Sequence, residues 1–291
     1  MLHPLTASDW AHKFSASDQK NATIALESGL ILFLPHLSFQ FNDSEKDLLR
    51  QEVLSGAFKN ISFHPKTGKV KGVADKLNES RVSALMSRFF QSCSRLIDHL
   101  LPHYRGALLQ GRTSYRPVEV IGRKTSLLKD DTRLHVDAFP ATPNQGKRIL
   151  RVFSNVNPNG QSRFWQVGEP FKTVVTQFLP KLRPPFMGYR ALLSLLNITK
   201  SYRSIYDHYM LMLHDEMKKS DTYQNSVKKT DIHFPAGGSW VVMTDAVSHA
   251  ALSGQFVLEQ TFYLPFVSMA EPEKSPLRIL ERALNQPLVN I

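Results

Sequence analysis

Two short segments hold the residues best suited to chemistry. Arg133-Leu-His-Val-Asp-Ala-Phe-Pro140 places His135 and Asp137 at i and i+2, and Thr244-Asp-Ala-Val-Ser-His-Ala250 carries His249. Two imidazoles and one carboxylate can occupy one face of a ferrous ion and leave the other face open for a cosubstrate and O2. On a strand, a His-x-Asp pair projects both side chains to the same side, roughly 6–7 Å apart, so His135 and Asp137 can chelate from a strand end. The third ligand must come from a distant segment. His249 is the best candidate, following apolar Ser239-Trp-Val-Val-Met-Thr244 and preceding small Ala250-Ala-Leu-Ser-Gly254. Spacing alone is a weak signal, because His-x-Asp arises by chance and a lone histidine near a strand end is commonly a hydrogen-bonded structural residue. Zinc hydrolases also use these ligand types to activate water. His208 and His214 fall in a helical stretch without a matching carboxylate, and the other histidines fall in arms, turns or helix ends.

A neighbouring cation that could hold an organic cosubstrate separates these chemistries. Arg148-Ile-Leu-Arg-Val-Phe-Ser-Asn155 reads as the strand after the His-x-Asp segment. Period two sets Arg151, Phe153 and Asn155 on one face, with Arg148 on the other or at the mouth. A buried arginine on an apolar strand is costly unless it meets an anion, and its fork matches a carboxylate. Arg151 is therefore expected to clamp a cosubstrate acid, with Arg148 in reserve and Asn155 orienting the cosubstrate or the open site. The alternative for Arg151 is a salt bridge across the barrel wall. Arg116 in Ser114-Tyr-Arg-Pro117 and Trp165 in Ser162-Arg-Phe-Trp165 are candidate substrate-pocket residues, although Trp165 can equally cap the core.

The surrounding elements set these residues in place. Short β-branched or aromatic runs broken by Gly, Pro, Asn and Asp occupy 104–113, 114–120, 132–139 and 148–155, and again 231–234, 239–244, 249–252 and 255–264. Such runs suggest an antiparallel sandwich or barrel. The expected organisation is one domain over 1–291. Residues 1–103 would supply N-terminal helices and outer strands, including helices at 44–55 and 78–101 and a polar helix or arm at 7–20. Residues 104–168 and 231–266 would form the barrel core, 169–224 a helical insert, and 275–284 a C-terminal helix. Sheets accept long insertions in their loops.

Composition narrows the class further. Of 291 residues 42% are hydrophobic and 21% charged, which suits a globular chain with a sizeable core. A net charge of +11 favours anionic partners. No helix-turn-helix, zinc-finger spacing or RNP-like motif accompanies it, so nucleic acid is not expected. Cys93 is the single cysteine, which excludes an intrachain disulfide and fits a reducing compartment; it reads as a small buried helix residue. No signal peptide is expected, and the apolar run Gly29–Pro35 is too short to span a bilayer. In the insert, basic residues outnumber acids and mix with Phe178, Phe186, Met187, Leu192, Leu193, Tyr209 and Met212. That pattern suits either an interfacial surface or helices packed on the barrel with a solvated basic face.

His135-x-Asp137 with a distal His249 resembles the Fe(II)/2-oxoglutarate-dependent dioxygenases. In many of these a cation follows the last histidine by ten or eleven residues; here those positions are Glu259 and Gln260, which moves the expectation to Arg151. A closer resemblance covers most of the chain. The segments Leu134–Pro140, Arg148–Val156, Val167–Phe171, Phe234–Trp240, Thr244–Ala250, Ser253–Phe262 and Ser275–Glu281 are similar to the bacterial Kdo hydroxylases. The resemblance implies an α+β fold with a double-stranded β-helix (jelly-roll, cupin-like) core, flanking helices and a helical insert between the two ligand segments. It implies Fe(II), 2-oxoglutarate and O2, with ascorbate as an optional reductant. The implied reaction is hydroxylation at C3 of 3-deoxy-D-manno-oct-2-ulosonic acid (Kdo) on lipid A, giving Ko, by a protein lying peripherally on the cytoplasmic face of a bacterial inner membrane. The same scaffold could instead hydroxylate another glycan or a protein, or serve as a non-redox cupin-like metal- or sugar-binding barrel.

Overall fold

The computed structural model describes residues 1–186, 195–196 and 198–289. Two sheets form its centre. Strands β1 (Leu2–Pro4), β2 (Ile31–Leu34), β3 (Ile61–His64), β4 (Lys69–Lys71), β5 (Leu109–Arg116), β6 (Arg148–Asn155), β9 (Ser239–Met243) and β11 (Val257–Leu264) build the larger, in the order β1-β2-β9-β6-β11-β5-β3-β4. Strands β7 (Arg163–Pro170), β8 (Thr230–Phe234) and β10 (Val247–Ser253) build the smaller, in the order β10-β7-β8. The two face each other as a jelly roll, with the first 71 residues supplying both edges of the larger sheet.

Strand β6 explains the layering. All eight of its residues are buried, as expected of a central strand covered on both sides. Leu150 and Val152 join the core under helices α1 (Ala16–Glu27) and α2 (Glu79–Leu100). Phe153, on the opposite face, joins Trp165, Phe234, Trp240 and Val242 between the sheets. There Trp240 stacks on Phe234 at 3.9 Å and on Phe153 at 5.1 Å, while Trp165 meets Trp240 edge-on. Helix α2 buries Val82, Leu85, Met86, Phe89, Cys93, Leu96 and Leu100, one stripe at helical spacing. Cys93 lies within that stripe, where burial pushes its thiol pKa up.

The insert carries helices α3 (Phe171–Phe178), α4 (Ile205–Lys219) and α5 (Asp221–Ser226). A reciprocal Ser204–Asp207 capping box starts α4. Phe178, Tyr209, Met210, Leu213 and Met217 turn into the core rather than outward. Arg203 and Lys218 are buried too, donating to the Pro140 and Leu128 carbonyls. On these helices the packed arrangement prevails over an interfacial one. Met187, Arg190, Leu192 and Leu193 lie outside the described residues. Helix α6 (Pro276–Leu284) closes the chain, capped by Ser275 and ended by Asn285 in the left-handed region.

Several elements differ from the sequence expectation. Residues 132–139 are extended but form only one bridge, His135 to His249. The two runs 104–113 and 114–120 give the single strand β5. The stretch 44–55 winds as 3-10 turns rather than an α-helix, and the first helix starts at Ala16 rather than residue 7. Strand β7 is an addition. Its alternation is broken by Gly168, where a Cβ would stand 2.9 Å from Ser248 Oγ, so close approach to β10 outweighs strand propensity. Among the described residues no helix is long and apolar enough to cross a membrane.

Candidate metal centre

The His-x-Asp segment is an extra, one-residue rung on the small sheet. His135 N–H donates to the His249 carbonyl at 3.0 Å and His249 N–H returns to the His135 carbonyl at 2.9 Å. Two residues on, Asp137 N–H donates to the Thr244 carbonyl at 2.9 Å. These bonds bring the three side chains together: one ligating atom from each of His135, Asp137 and His249 lies within 4.8 Å of the others, and all three residues are buried.

The imidazoles are oriented alike. His135 Nδ1 lies 2.8 Å from the Arg133 carbonyl, and His249 Nδ1 2.8 Å from the Val247 carbonyl. A carbonyl only accepts, so each Nδ1 carries the proton and each Nε2 keeps its lone pair for an ion. Burial, reinforced by the neighbouring His249, pushes the His135 pKa well below its usual value. Burial lowers the His249 pKa as well. Both rings are thus neutral, the form that binds metal. Burial pushes the Asp137 carboxyl up, but its polar neighbours, the Arg151 guanidinium foremost, together outweigh burial and hold the group well below the usual carboxylate range. His135 Nε2 and Asp137 Oδ1 are 3.9 Å apart, less than twice a metal–ligand bond of about 2.1 Å. Asp137 Oδ2 has no hydrogen-bond partner in the protein. It lies 3.1 Å from Arg151 Nη2, close enough for an ion pair but without hydrogen-bond alignment, so its lone pairs remain available. The donor set, the ring orientations and the unsatisfied carboxylate oxygen fit a facial-triad metal.

A chain of alternating charge runs outward from the triad. Arg151 contacts Asp137 and Glu259 at 3.1 Å each. Arg116 donates through Nε (2.9 Å) and Nη2 (2.7 Å) to Glu259 and approaches Asp131, which pairs with Lys59 at 2.5 Å. Burial opposes the Glu259 charge, yet Arg116 and Arg151 hold its carboxyl below the usual range. Arg151 therefore lies beside the triad, and the salt bridge weighed for it as the alternative is present. Phe139 covers its guanidinium at 5.5 Å.

Arg163 differs from these. It is 5% exposed, no carboxylate pairs with it among the described residues, and its Nε has no partner. Its one hydrogen bond runs from Nη1 to the Gly254 carbonyl at 2.7 Å. Gly254 has φ +105°, and a Cβ there would meet the Arg163 Cα and Cδ at 3.0 Å, so only glycine permits the contact. Burial and nearby Arg116 push the Arg163 pKa down to about 10. Two residues on, Trp165 stacks on the His249 ring at 4.9 Å, and its indole Nε1 is also unpartnered. Period two puts Arg163 and Trp165 on one face of β7. Arg151 and Trp165 touch the triad at Asp137 and His249 and each keeps an unsatisfied buried donor, as Arg163 does two residues from Trp165, the arrangement expected where an anion completes a site.

Two other expected residues lie elsewhere. Arg148 falls on the helix-facing side of β6, paired with buried Asp245 at 2.7 Å and touching Met269 Sδ; strand alternation turns it away from Arg151. Asn155 shares the Arg151 face but sits at the far end of β6. There it donates to the Gln161 and Phe234 carbonyls and accepts from Asn157 N–H, tying a turn. Conversely, Glu259 and His214 join the site unexpectedly, and Arg163 is an unpaired buried cation on the strand that carries Trp165. Glu259 had a signal, a lone acid on a strand-like run that would need a cation if buried. Arg163 had none apart from strand parity with Trp165, because β7 was not expected. His214, on α4, sets its ring edge-on to His135 at 5.4 Å and bonds Asp215 at 2.8 Å; the fold of the insert, not spacing, brings it there.

A cleft of about 760 Å³ opens from Arg151 and Glu259 across the larger sheet.

A family model for 3-deoxy-D-manno-oct-2-ulosonic acid (Kdo) hydroxylase matches residues 9–287. Among solved structures, the Kdo hydroxylase KdoO, a non-heme Fe(II) alpha-ketoglutarate-dependent dioxygenase, in complex with alpha-ketoglutarate and Fe(III), is 47% identical. The match covers 99% of this chain and 97% of that one, with a TM-score of 0.96. The cobalt(II) complex of KdoO is 48% identical with a TM-score of 0.97, over the same shares of each chain. The apo form is 48% identical with a TM-score of 0.96, again over 99% and 97%. No curated protein sequence matches.

Proposed function

This chain belongs to the Kdo hydroxylase family, and from that premise we infer that it is an Fe(II)/2-oxoglutarate-dependent dioxygenase that hydroxylates Kdo. His135, Asp137 and His249 hold the iron, and 2-oxoglutarate and O2 are consumed. The observation that carries this reading is the triad itself, two neutral imidazoles and an unsatisfied carboxylate gathered beside buried, unpartnered donors.

Each part of the site has a task. The carbonyl bonds at Nδ1 fix the rings so that Nε2 faces the ion without prior proton movement. The donors of Arg116, Arg151, Arg163 and the Trp165 indole surround the space beside the triad and receive the cosubstrate's carboxylates. Arg163, a buried guanidinium with no carboxylate partner among the described residues, carries the largest share. Bound Fe(II) supplies O2 activation, coupled to decarboxylation of 2-oxoglutarate to succinate, that delivers one oxygen atom to a substrate C–H bond. The aromatic cluster of Phe153, Trp165, Phe234 and Trp240 seals the interior on the small-sheet side, so the sugar enters from the cleft. Arg116, at the boundary between cosubstrate space and cleft, and Trp165 contact the two reactants, and positioning of the C–H bond is the protein's main catalytic task. The whole chain acts as one dioxygenase domain.

The finer reading is that the acceptor is Kdo on lipid A, oxidised at C3 to Ko by a protein resting on the cytoplasmic face of the inner membrane. Exposed apolar side chains support it: Phe186, Leu195, Leu196 and Ile198 lie on the segment leading to Lys200 at the cleft. Apolar groups beside cations suit an anionic lipid surface. To test the reading, iron-loaded protein is given 2-oxoglutarate and Kdo-lipid A under nitrogen and then air. Succinate and a product heavier by one oxygen are expected; failure to form either with any Kdo glycolipid refutes it.

A further inference from the structure

The cleft reaches well beyond what one sugar acid needs. Its floor crosses the larger sheet, from Arg151 on β6 over β11 and β5 to β3 and β4. Cross-strand register aligns Phe153, Glu259, Ser114, Ser62 and Lys71 in one row. At about 4.8 Å per strand, Arg112 on β5 stands about 10 Å from the Arg151 strand and Lys71 on β4 about 19 Å. The facing wall is the loop after Phe139, to which Lys200 is tied by a bond from its N–H to the Ala141 carbonyl at 2.9 Å.

Charge changes character along this floor. Beside the triad Arg151 and Arg116 are matched by acids. At the outer end Lys71, Arg112 and Lys200 line the cleft, and none has an acidic partner among the described residues. The one acid lining the cleft is Glu259, already held by Arg116 and Arg151. Repulsion from Arg112, then partial burial and Lys71, lowers the Lys200 ammonium pKa, so the three form one electrostatic group. Three converging cations without an anion hold a field that a dianion with several acceptor oxygens neutralises better than a lone carboxylate.

We propose that Lys71, Arg112 and Lys200 form a phosphomonoester subsite, which reads a phosphate on the acceptor one sugar or more away from the ring that is hydroxylated. This rests on the reading of the cleft as the sugar's entrance. The subsite selects phosphorylated glycolipid over its free sugar head and sets which way round the acceptor lies.

The test uses full-length protein loaded with iron and 2-oxoglutarate under nitrogen. Two Kdo glycolipids in nonionic micelles are compared, one with its phosphates and one with them removed. Binding is measured without turnover, for wild type and for Arg112→Gln/Lys200→Gln, whose altered side chains are exposed and lie outside the triad and its arginines. Wild type should bind the phosphorylated lipid about tenfold or more tightly, the effect of one or two charge-assisted contacts. The variant should lose most of that preference and bind the dephosphorylated lipid as wild type does. On admission of air, KM for the phosphorylated lipid should rise by a similar factor, with kcat and the 2-oxoglutarate requirement unchanged. Equal wild-type binding of both lipids, or equal weakening of both by the variant, overturns the subsite. A loss that instead follows the number of acidic sugars assigns the cations to a carboxylate and also overturns it. Absence of succinate from wild type bears on the hydroxylase reading alone, because the binding comparison needs no turnover.

Discussion

Replacing Arg163 with methionine separates a cation kept for a ligand from one kept for the fold. The guanidinium is 5% exposed with Nε unpartnered, and its pKa is pushed down to about 10. At about 1.4 kcal/mol per tenfold change in acidity constant, that displacement holds on the order of 3 kcal/mol against the charged form. Methionine removes this penalty while roughly filling the space. It forfeits the bond to the Gly254 carbonyl, worth about 1 kcal/mol and somewhat more if that carbonyl stays dry. The metal-free variant should therefore unfold at the same temperature as wild type or a few degrees higher. Its response to cosubstrate should be opposite in sign. Losing one or two charge-assisted bonds of about 1.5–3 kcal/mol each raises the 2-oxoglutarate dissociation constant at least tenfold, and about fortyfold for a single bond at the centre of that range. Calorimetric titration of 2-oxoglutarate into anaerobic iron-loaded protein reads the constant, and succinate release reads the matching rise in KM. Iron affinity should stay within a few-fold. A 2-oxoglutarate constant unchanged within threefold, or a marked drop in Tm, refutes the assignment of Arg163 as a cation reserved for the cosubstrate.

The remaining expectations concern its neighbours. His135→Ala, Asp137→Ala and His249→Ala should each abolish succinate formation and lower iron affinity, measured by metal content after dialysis. Arg151→Ala should raise the 2-oxoglutarate requirement and also destabilise by about 3–5 kcal/mol, because Asp137 and Glu259 lose a shared partner; denaturant unfolding separates it from Arg163→Met. Arg148→Ala strands buried Asp245 and should cost a similar amount in stability, yet leave the 2-oxoglutarate KM unchanged in enzyme that remains folded. Glu259 has a folded pKa below its ordinary value of 4.5, so its contribution to stability is fully present above about pH 4.5 and is lost as pH falls through the lower, folded value. Glu259→Gln should flatten the acid limb of the stability–pH curve, and an unaltered slope between about pH 5 and 3 would contradict the pairing with Arg116 and Arg151.

The ligands were legible because they rest on short-range rules. Alternation places Arg151 inward, and it equally explains why Arg148 faces the helices. What escaped was long-range. Arg163 became visible only once β7 existed, and that strand is concealed by Gly168, a residue kept for close packing against Ser248. His214 reaches His135 through the path of the insert, which no local pattern encodes. The insert's apolar residues showed helical spacing without showing which partner covers them, and on helices α3 and α4 most are covered by the protein's own core. Asn155 was placed on the correct face but at the wrong depth, since parity does not report distance along a strand.

The backbone bridge between residues 135 and 249 also bears on when the centre comes into being. Closing so long a loop is slow relative to local folding, and the pair of backbone bonds that docks His249 against the His-x-Asp rung joins residues far apart in the chain. An unfinished chain offers one chelating pair but no third donor, so it holds iron poorly. A complete three-donor centre therefore requires the long-range closure that brings residue 249 to the rung.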